Sequence, residues 1–201
     1  MPKAIIIDYG AGNLLSLKCA LQKSGFASEI RSSPSQLKDA DAIVLPGVGN
    51  FSAASAKLAS VGEKIVESVR SGLPILGVCL GMQLFFSESE EGEGKGLALF
   101  QGKNIRLPSS VKVPHMGWNT LRIVKQNELL EDVNDESYVY FVHSLYPVPA
   151  DSSVICAETD YIVTFASAVA KQNVCGTQFH PEKSGEVGSK ILRNFARLVE
   201  R

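Results

Sequence analysis

A chain of 201 residues that is 45% apolar and 20% charged has material for one sizeable core, and a single domain over residues 1–201 is expected. Twenty Lys and Arg against twenty-one Asp and Glu leave a net charge of -1, without the cationic surplus that grips nucleic acid or an anionic membrane. No apolar run nears the roughly 20 residues that span a bilayer, and MPKAIIIDYGAGN meets an aspartate too early for a secretory signal, so a cytoplasmic location is expected.

In chain order, AIIID (residues 4–8) reads as a β-branched strand that stops at YGAGN. Leu14, Leu17 and Leu21 then recur at helical spacing until Ser24-Gly25 ends the run. DAIVLPG (41–47) predicts a second buried strand halted by Pro46-Gly47, and EKIVESVRSG a helix terminated by Gly72. PILGVC is a third strand, leading into a helix over LGMQLFFSE. SESEEGEGKG (87–96) is an acidic, glycine-rich loop. This alternation points to an α/β fold with a mostly parallel central sheet and helices on both faces. The second half changes character: KNIRL, NTLRIV, YVYFVHS, SVICAET, TFASAVA and NVCGTQF are strand-like runs linked too briefly for helical crossovers, so antiparallel strands are expected there. Ile191, Leu192, Phe195 and Leu198 share one face of a closing amphipathic helix.

Cys19, Cys79, Cys156 and Cys175 form no C-x-x-C pair, which argues against a zinc ribbon or a dithiol redox site; free thiols, no metal and no cofactor are expected. Cys79 stands apart because Gly77-Val78-Cys79-Leu80-Gly81 has the form G-x-nucleophile-x-G, with sulfur in place of serine. A nucleophile on a sharp strand-to-helix turn needs small neighbours, and the N-terminus of a helix at Leu80 favours thiolate and offers one N–H to an oxyanion. A buried, inert thiol fits the apolar surroundings equally well. A thiol nucleophile needs a base, and His180 in GTQFHPEKSG is followed two residues later by Glu182, placed to hold its other ring nitrogen. His115 and His143 lack an adjacent carboxylate and read as structural or interfacial. PGVGN (46–50) follows another strand, so its backbone could supply a second oxyanion donor. YGAGN lacks the third glycine of a dinucleotide loop.

GVCLGMQ, PGVG and HPE together resemble the class I (triad) glutamine amidotransferases, whose fold is flavodoxin-like, and the resemblance runs the whole chain. Within that family PHMGWN (114–119), YFVHS (140–144) and FHPEKSG (179–185) are similar to the branch of glutaminase subunits of imidazole glycerol phosphate synthase. The resemblance implies a catalytic Cys79, His180 and Glu182, and an oxyanion hole from Leu80 and the Gly47-Val48 segment. It also implies a glutamine pocket involving Gly47, Gly49, Gln83, Glu91 and Ser144. The implied partner is a separate (β/α)8-barrel cyclase that consumes the ammonia in a heterodimer, met by Met116, Trp118, Asn119 and Lys183. Trp118 could equally be a core residue. Where family members often carry Tyr after VHS, this chain has Leu145 and then Tyr146. A glutaminase of the same fold serving another ammonia-dependent synthase, or a non-catalytic binding protein, would share many of these features.

Overall fold

The structure, a computed structural model, describes residues 1–10, 12–32, 37 and 39–201. Strand β1 (Lys3–Ile7) leads through a glycine turn into α1 (Leu14–Lys23), whose first turn is capped by the Asn13 side chain accepting from the Ser16 N–H. After β2 (Ala27–Arg31) and β3 (Ala42–Leu45), Asn50 caps α2 (Phe51–Arg70). α2 is twice the length that EKIVESVRSG alone suggests. Its front half, FSAASAKLAS, is rich in Ser and Ala, so the buried stripe of Phe51, Ala54 and Leu58 is diluted in sequence.

Next come β4 (Ile75–Val78), a single turn α3 (Leu80–Gln83) and β5 (Phe86–Ser89). The helix expected over LGMQLFFSE is therefore one turn followed by a strand that takes the start of the acidic loop. Every residue from Leu80 to Phe86 is buried, so no polar face exists to mark a helical period. The second half contributes β6 (Phe100–Arg106), β7 (His115–Ile123), β8 (Ser137–His143), β9 (Leu145–Pro149), β10 (Ile155–Tyr161), β11 (Val163–Lys171) and β12 (Val174–Thr177), then α4 (Gly185–Val199). β2, β5 and β9 are strands that the sequence reading did not single out. β9 holds two prolines, which hid it.

Among the described residues the main sheet has nine strands in the order β2-β1-β3-β4-β12-β11-β10-β7-β8. The first five are parallel, in the 2-1-3-4-5 arrangement of a flavodoxin-like sheet, and the last four are antiparallel. β5, β6 and β9 form a second, three-stranded sheet. Two apolar clusters sandwich the parallel half: α1 and α4 bury Leu17, Leu21, Ile191, Leu192 and Phe195 on one face, and α2 buries Phe51, Leu58 and Ile65 on the other. Because β3, β4 and β12 are adjacent and parallel, the loops at their carboxyl ends meet at one edge of the sheet. Among the described residues no helix is long and apolar enough to cross a membrane.

Candidate active site

Cys79 follows β4 at the sheet's carboxyl edge, with φ 50 and ψ -105, a conformation that costs about 1–3 kcal/mol and is kept only where its surroundings impose it. The imposition is visible in the neighbouring glycines. A Cβ on Gly81 would lie 2.0 Å from the Leu45 carbonyl oxygen, and one on Gly77 would lie 2.6 Å from the Phe85 ring and 2.7 Å from the Gly81 carbonyl carbon. The turn is pressed against both β3 and its own helix, and the Cys79 N–H donates to the Thr177 carbonyl of β12 at 2.7 Å. Cys79 itself is 4% exposed, and its Sγ donates to the Val142 carbonyl at 3.7 Å. The short α3 carries less dipole than a long helix would, but its first N–H groups, at Leu80 and Gly81, still have no intrahelical partner.

His180 arrives from the end of β12 on a 3-10 turn, Pro181–Lys183. Its Nδ1 meets Glu182 Oε1 at 2.8 Å, with both side chains at most 5% exposed. Burial opposes charge on this imidazole, yet Cys79 and Glu182 together outweigh it and raise the His180 pKa to about 10. Nε2 of His180 and Oε2 of Glu182 are buried without a hydrogen-bond partner, so the ring presents its second nitrogen unengaged beside the thiol. The turn is also tied to the sheet: the His180 N–H donates to the Tyr140 carbonyl at 2.9 Å, and Ser184 Oγ accepts from the Tyr140 N–H at 3.0 Å.

The third loop, after β3, packs against the elbow so closely that a Cβ on Gly47 would lie 2.6 Å from the backbone nitrogens of Leu80 and Gly81. The buried Tyr9 hydroxyl donates to the Pro46 carbonyl and holds this loop from the β1 side. That contact gives the YGAGN stretch a structural use.

A cavity of about 240 Å³ opens beside the sulfur, below the roughly 300–1,000 Å³ typical of drug-sized pockets and suited to an amino acid. Val48, Gly49, Leu80, Gln83, Glu91 and Ser144 line it together with Cys79, so seven of the anticipated residues converge there. Gly47, His180 and Glu182 stand behind this lining. Glu91 sits at the start of α2, where its carboxylate accepts from the Phe51 N–H. Gln83 donates through Nε2 to the Leu145 carbonyl at 2.9 Å and to Gln178 Oε1 at 3.2 Å.

Pro114, Val142, His143 and Leu145 also line the cavity, and sequence reasoning had assigned none of them to it. His143 Nδ1 donates to the Leu145 carbonyl at 2.8 Å, leaving Nε2 to accept from His115 Nδ1 at 3.1 Å. Burial drives His143 down to about 3 and His115 to about 4, so both rings are neutral at pH 7. His115 is stacked between Phe141 and Tyr161. The departure at Leu145 falls where the backbone carbonyl does the bonding.

Met116 and Trp118 lie outside this pocket, 60% and 56% exposed on the outer face of β7; Trp118 is thus not a core residue. Trp118 meets the Tyr140 ring edge-on at 5.9 Å, and Lys183 Nζ lies over the same ring at 5.8 Å. Asn119 is on the inner face, donating to the Asp160 carbonyl at 3.0 Å and approaching His115 Nε2 at 3.4 Å. Among the described residues no group of three or more His, Cys, Asp or Glu is placed to hold a metal ion.

An elbow cysteine beside a carboxylate-bound histidine, at the edge of a flavodoxin-like sheet, is the arrangement of an enzyme that works through a thioester. Residues 5–199 match the family described as glutamine amidotransferase class-I. A glutamine amidotransferase from Thermotoga maritima shares the fold at 14% identity, with a TM-score of 0.73 over 100% of this chain and 99% of its own. A relative in Methanothermobacter thermautotrophicus is 50% identical over 96% of this chain and 98% of its own length. One in Desulfitobacterium hafniense strain Y51 is 47% identical over 96% and 93%. Both are named imidazole glycerol phosphate synthase subunit HisH. The chain belongs to the class-I glutamine amidotransferase family, in the branch of these HisH subunits.

Proposed function

We propose that this chain, acting as one cytoplasmic domain over residues 1–201, is the glutaminase subunit of imidazole glycerol phosphate synthase in histidine biosynthesis. The observation that carries the reading is the unengaged Nε2 of His180 beside Cys79 at a cavity of amino-acid size, in a chain half identical to a HisH subunit. Glutamine enters past Gly49, Glu91 and Ser144, with Gln83 on the wall. With the proton that the pair shares resting on His180, whose pKa is raised beside Cys79, the Cys79 thiolate attacks the carboxamide carbon. The resulting oxyanion lies near the N–H of Leu80 and one from the Gly47-Val48 segment. His180, oriented by Glu182, protonates the nitrogen as the C–N bond breaks, and ammonia leaves a glutamyl thioester. Water, deprotonated by the same imidazole, then releases glutamate and restores the thiol.

The ammonia goes to a (β/α)8-barrel cyclase, which makes imidazole glycerol phosphate and AICAR. The docking face is the exposed Met116 and Trp118, with Lys183 beside them and Asn119 behind. It is close to the chemistry: Val142, whose carbonyl faces the sulfur, pairs across the ladder with Met116. The test is to mix the chain with such a cyclase and measure glutamate release with and without the cyclase's ligand. Cys79→Ala abolishes glutamine-dependent turnover and leaves ammonia-dependent synthesis intact. Unchanged glutamate release by Cys79→Ala ends the proposal.

A further inference from the structure

Gln178 lies between β12 and His180, is fully buried, and has no role in the scheme above. Its backbone is fixed by an N–H donated to the Ser167 carbonyl at 2.9 Å. Its side chain bridges two groups: Oε1 accepts from Gln83 Nε2 at 3.2 Å, and Nε2 points at Cys79 Sγ at 3.5 Å.

The two ends of a side-chain amide have nearly the same shape, so orientation must be argued from partners. Here one backbone atom decides it. The Leu145 carbonyl can only accept, so Gln83 must turn its NH2 toward it. That same NH2 faces Gln178, which must answer with Oε1. The remaining end of Gln178, its NH2, is thereby aimed at the sulfur. The rest of the network agrees, because the same carbonyl takes the His143 Nδ1 proton and imposes the donor direction through His115 to Asn119.

The sulfur therefore has one acceptor and one donor beside it. As a thiol it donates to the Val142 carbonyl. Once its proton has gone to His180, that carbonyl oxygen faces a lone pair, and the Gln178 amide becomes the group that matches the sulfur's new character. We propose that Gln178 is a further catalytic residue, whose buried side-chain amide donates to the ionised Cys79 sulfur, with its direction imposed by the Leu145 carbonyl through Gln83. This rests on the reading of Cys79 as the nucleophile.

The test is alkylation of Cys79 by chloroacetamide, which needs neither glutamine nor a partner. A Cys19→Ser background removes the exposed thiol, and peptide mass spectrometry reads Cys79. Rates are taken from about pH 5 to about pH 10 for the parent, Gln178→Met and Gln178→Glu. Loss of the donor slows alkylation about tenfold at pH 7 in Gln178→Met, with rates converging at the alkaline end. Gln178→Glu is nearly isosteric and keeps the bond from Gln83, yet once its buried carboxyl ionises it turns only an acceptor toward the sulfur, so in the alkaline range it is slower than Gln178→Met. A role limited to packing predicts the opposite order, with Gln178→Glu close to the parent. Either that order or superimposable profiles overturn the proposal. A parent Cys79 inert at every pH instead sinks the nucleophile reading itself.

Discussion

At the scale of single residues, a glycine of the Cys79 elbow and one at the end of α1 differ in what they resist. Gly81 has φ in the ordinary range, and only the Leu45 carbonyl forbids a side chain there. Gly25 has φ +101 and open space around it. Gly81→Ala is expected to destabilise the fold by on the order of 3 kcal/mol or more, since backbone cannot step aside. Gly25→Ala is expected to cost only about 1–2 kcal/mol of backbone strain. Urea unfolding of the two variants checks this, and equal losses would show that conformation rather than contact decides both. The G-x-C-x-G spacing made the elbow legible in the sequence, because a strained turn between packed elements leaves a compositional trace. Gln178 left no such trace. A buried glutamine in a strand-to-turn segment is informative only once its partners are known, and they lie 95 and 99 residues away.

At the scale of elements, the β7–β8 pair has two unlike faces. Outward it shows Met116, Trp118 and Tyr138; inward it carries His115 opposite His143. The inner histidines make folding sensitive to acid. Between pH 6.5 and about 4 the unfolded chain takes up protons that the folded rings refuse, so stability falls as pH falls through this window. The slope reaches about 1.4 kcal/mol per pH unit for each ring. His180, raised rather than lowered, stays protonated in both states over most of this range and does not offset the loss. Urea midpoints at pH 7 and pH 5 provide the measurement, and identical midpoints would contradict it. The sequence showed that both histidines lacked a carboxylate, which was enough to set them aside as bases. It could not show that each is the other's partner. Element lengths were lost for a related reason: the run from Leu80 to Phe86, through α3 and into the start of β5, is buried on all sides, and periodicity exists only where one face meets water.

At the scale of the whole molecule, strand order does what no motif can. PGVG, GVC and HPE are spread between Pro46 and Glu182, and they meet because β3, β4 and β12 are neighbours in the sheet. The alternation of strands and helices predicted such an edge, and the family resemblance said which loops share it. The placement of β12 beside β4 is a long-range pairing that local pattern does not encode. The outer face tests the partner reading without touching the chemistry. Trp118→Ala is expected to weaken association with the barrel cyclase by tenfold or more. Its unfolding free energy should stay within about 0.5 kcal/mol of the parent, since the side chain is more than half exposed. Calorimetric titration with the cyclase and a urea melt separate the two effects; undiminished binding would move the interface elsewhere.

The bonds from His180 and Ser184 to Tyr140 have a consequence beyond holding an imidazole. β8 is an outer strand of the nine-stranded sheet, and such strands recruit other chains through their free peptide groups. The turn that carries the histidine occupies both peptide groups of Tyr140, in the middle of that edge. A descendant of this protein that abandoned its chemistry could exchange Cys79 for many residues, yet would still have to keep the HPEKS turn to remain free of self-association.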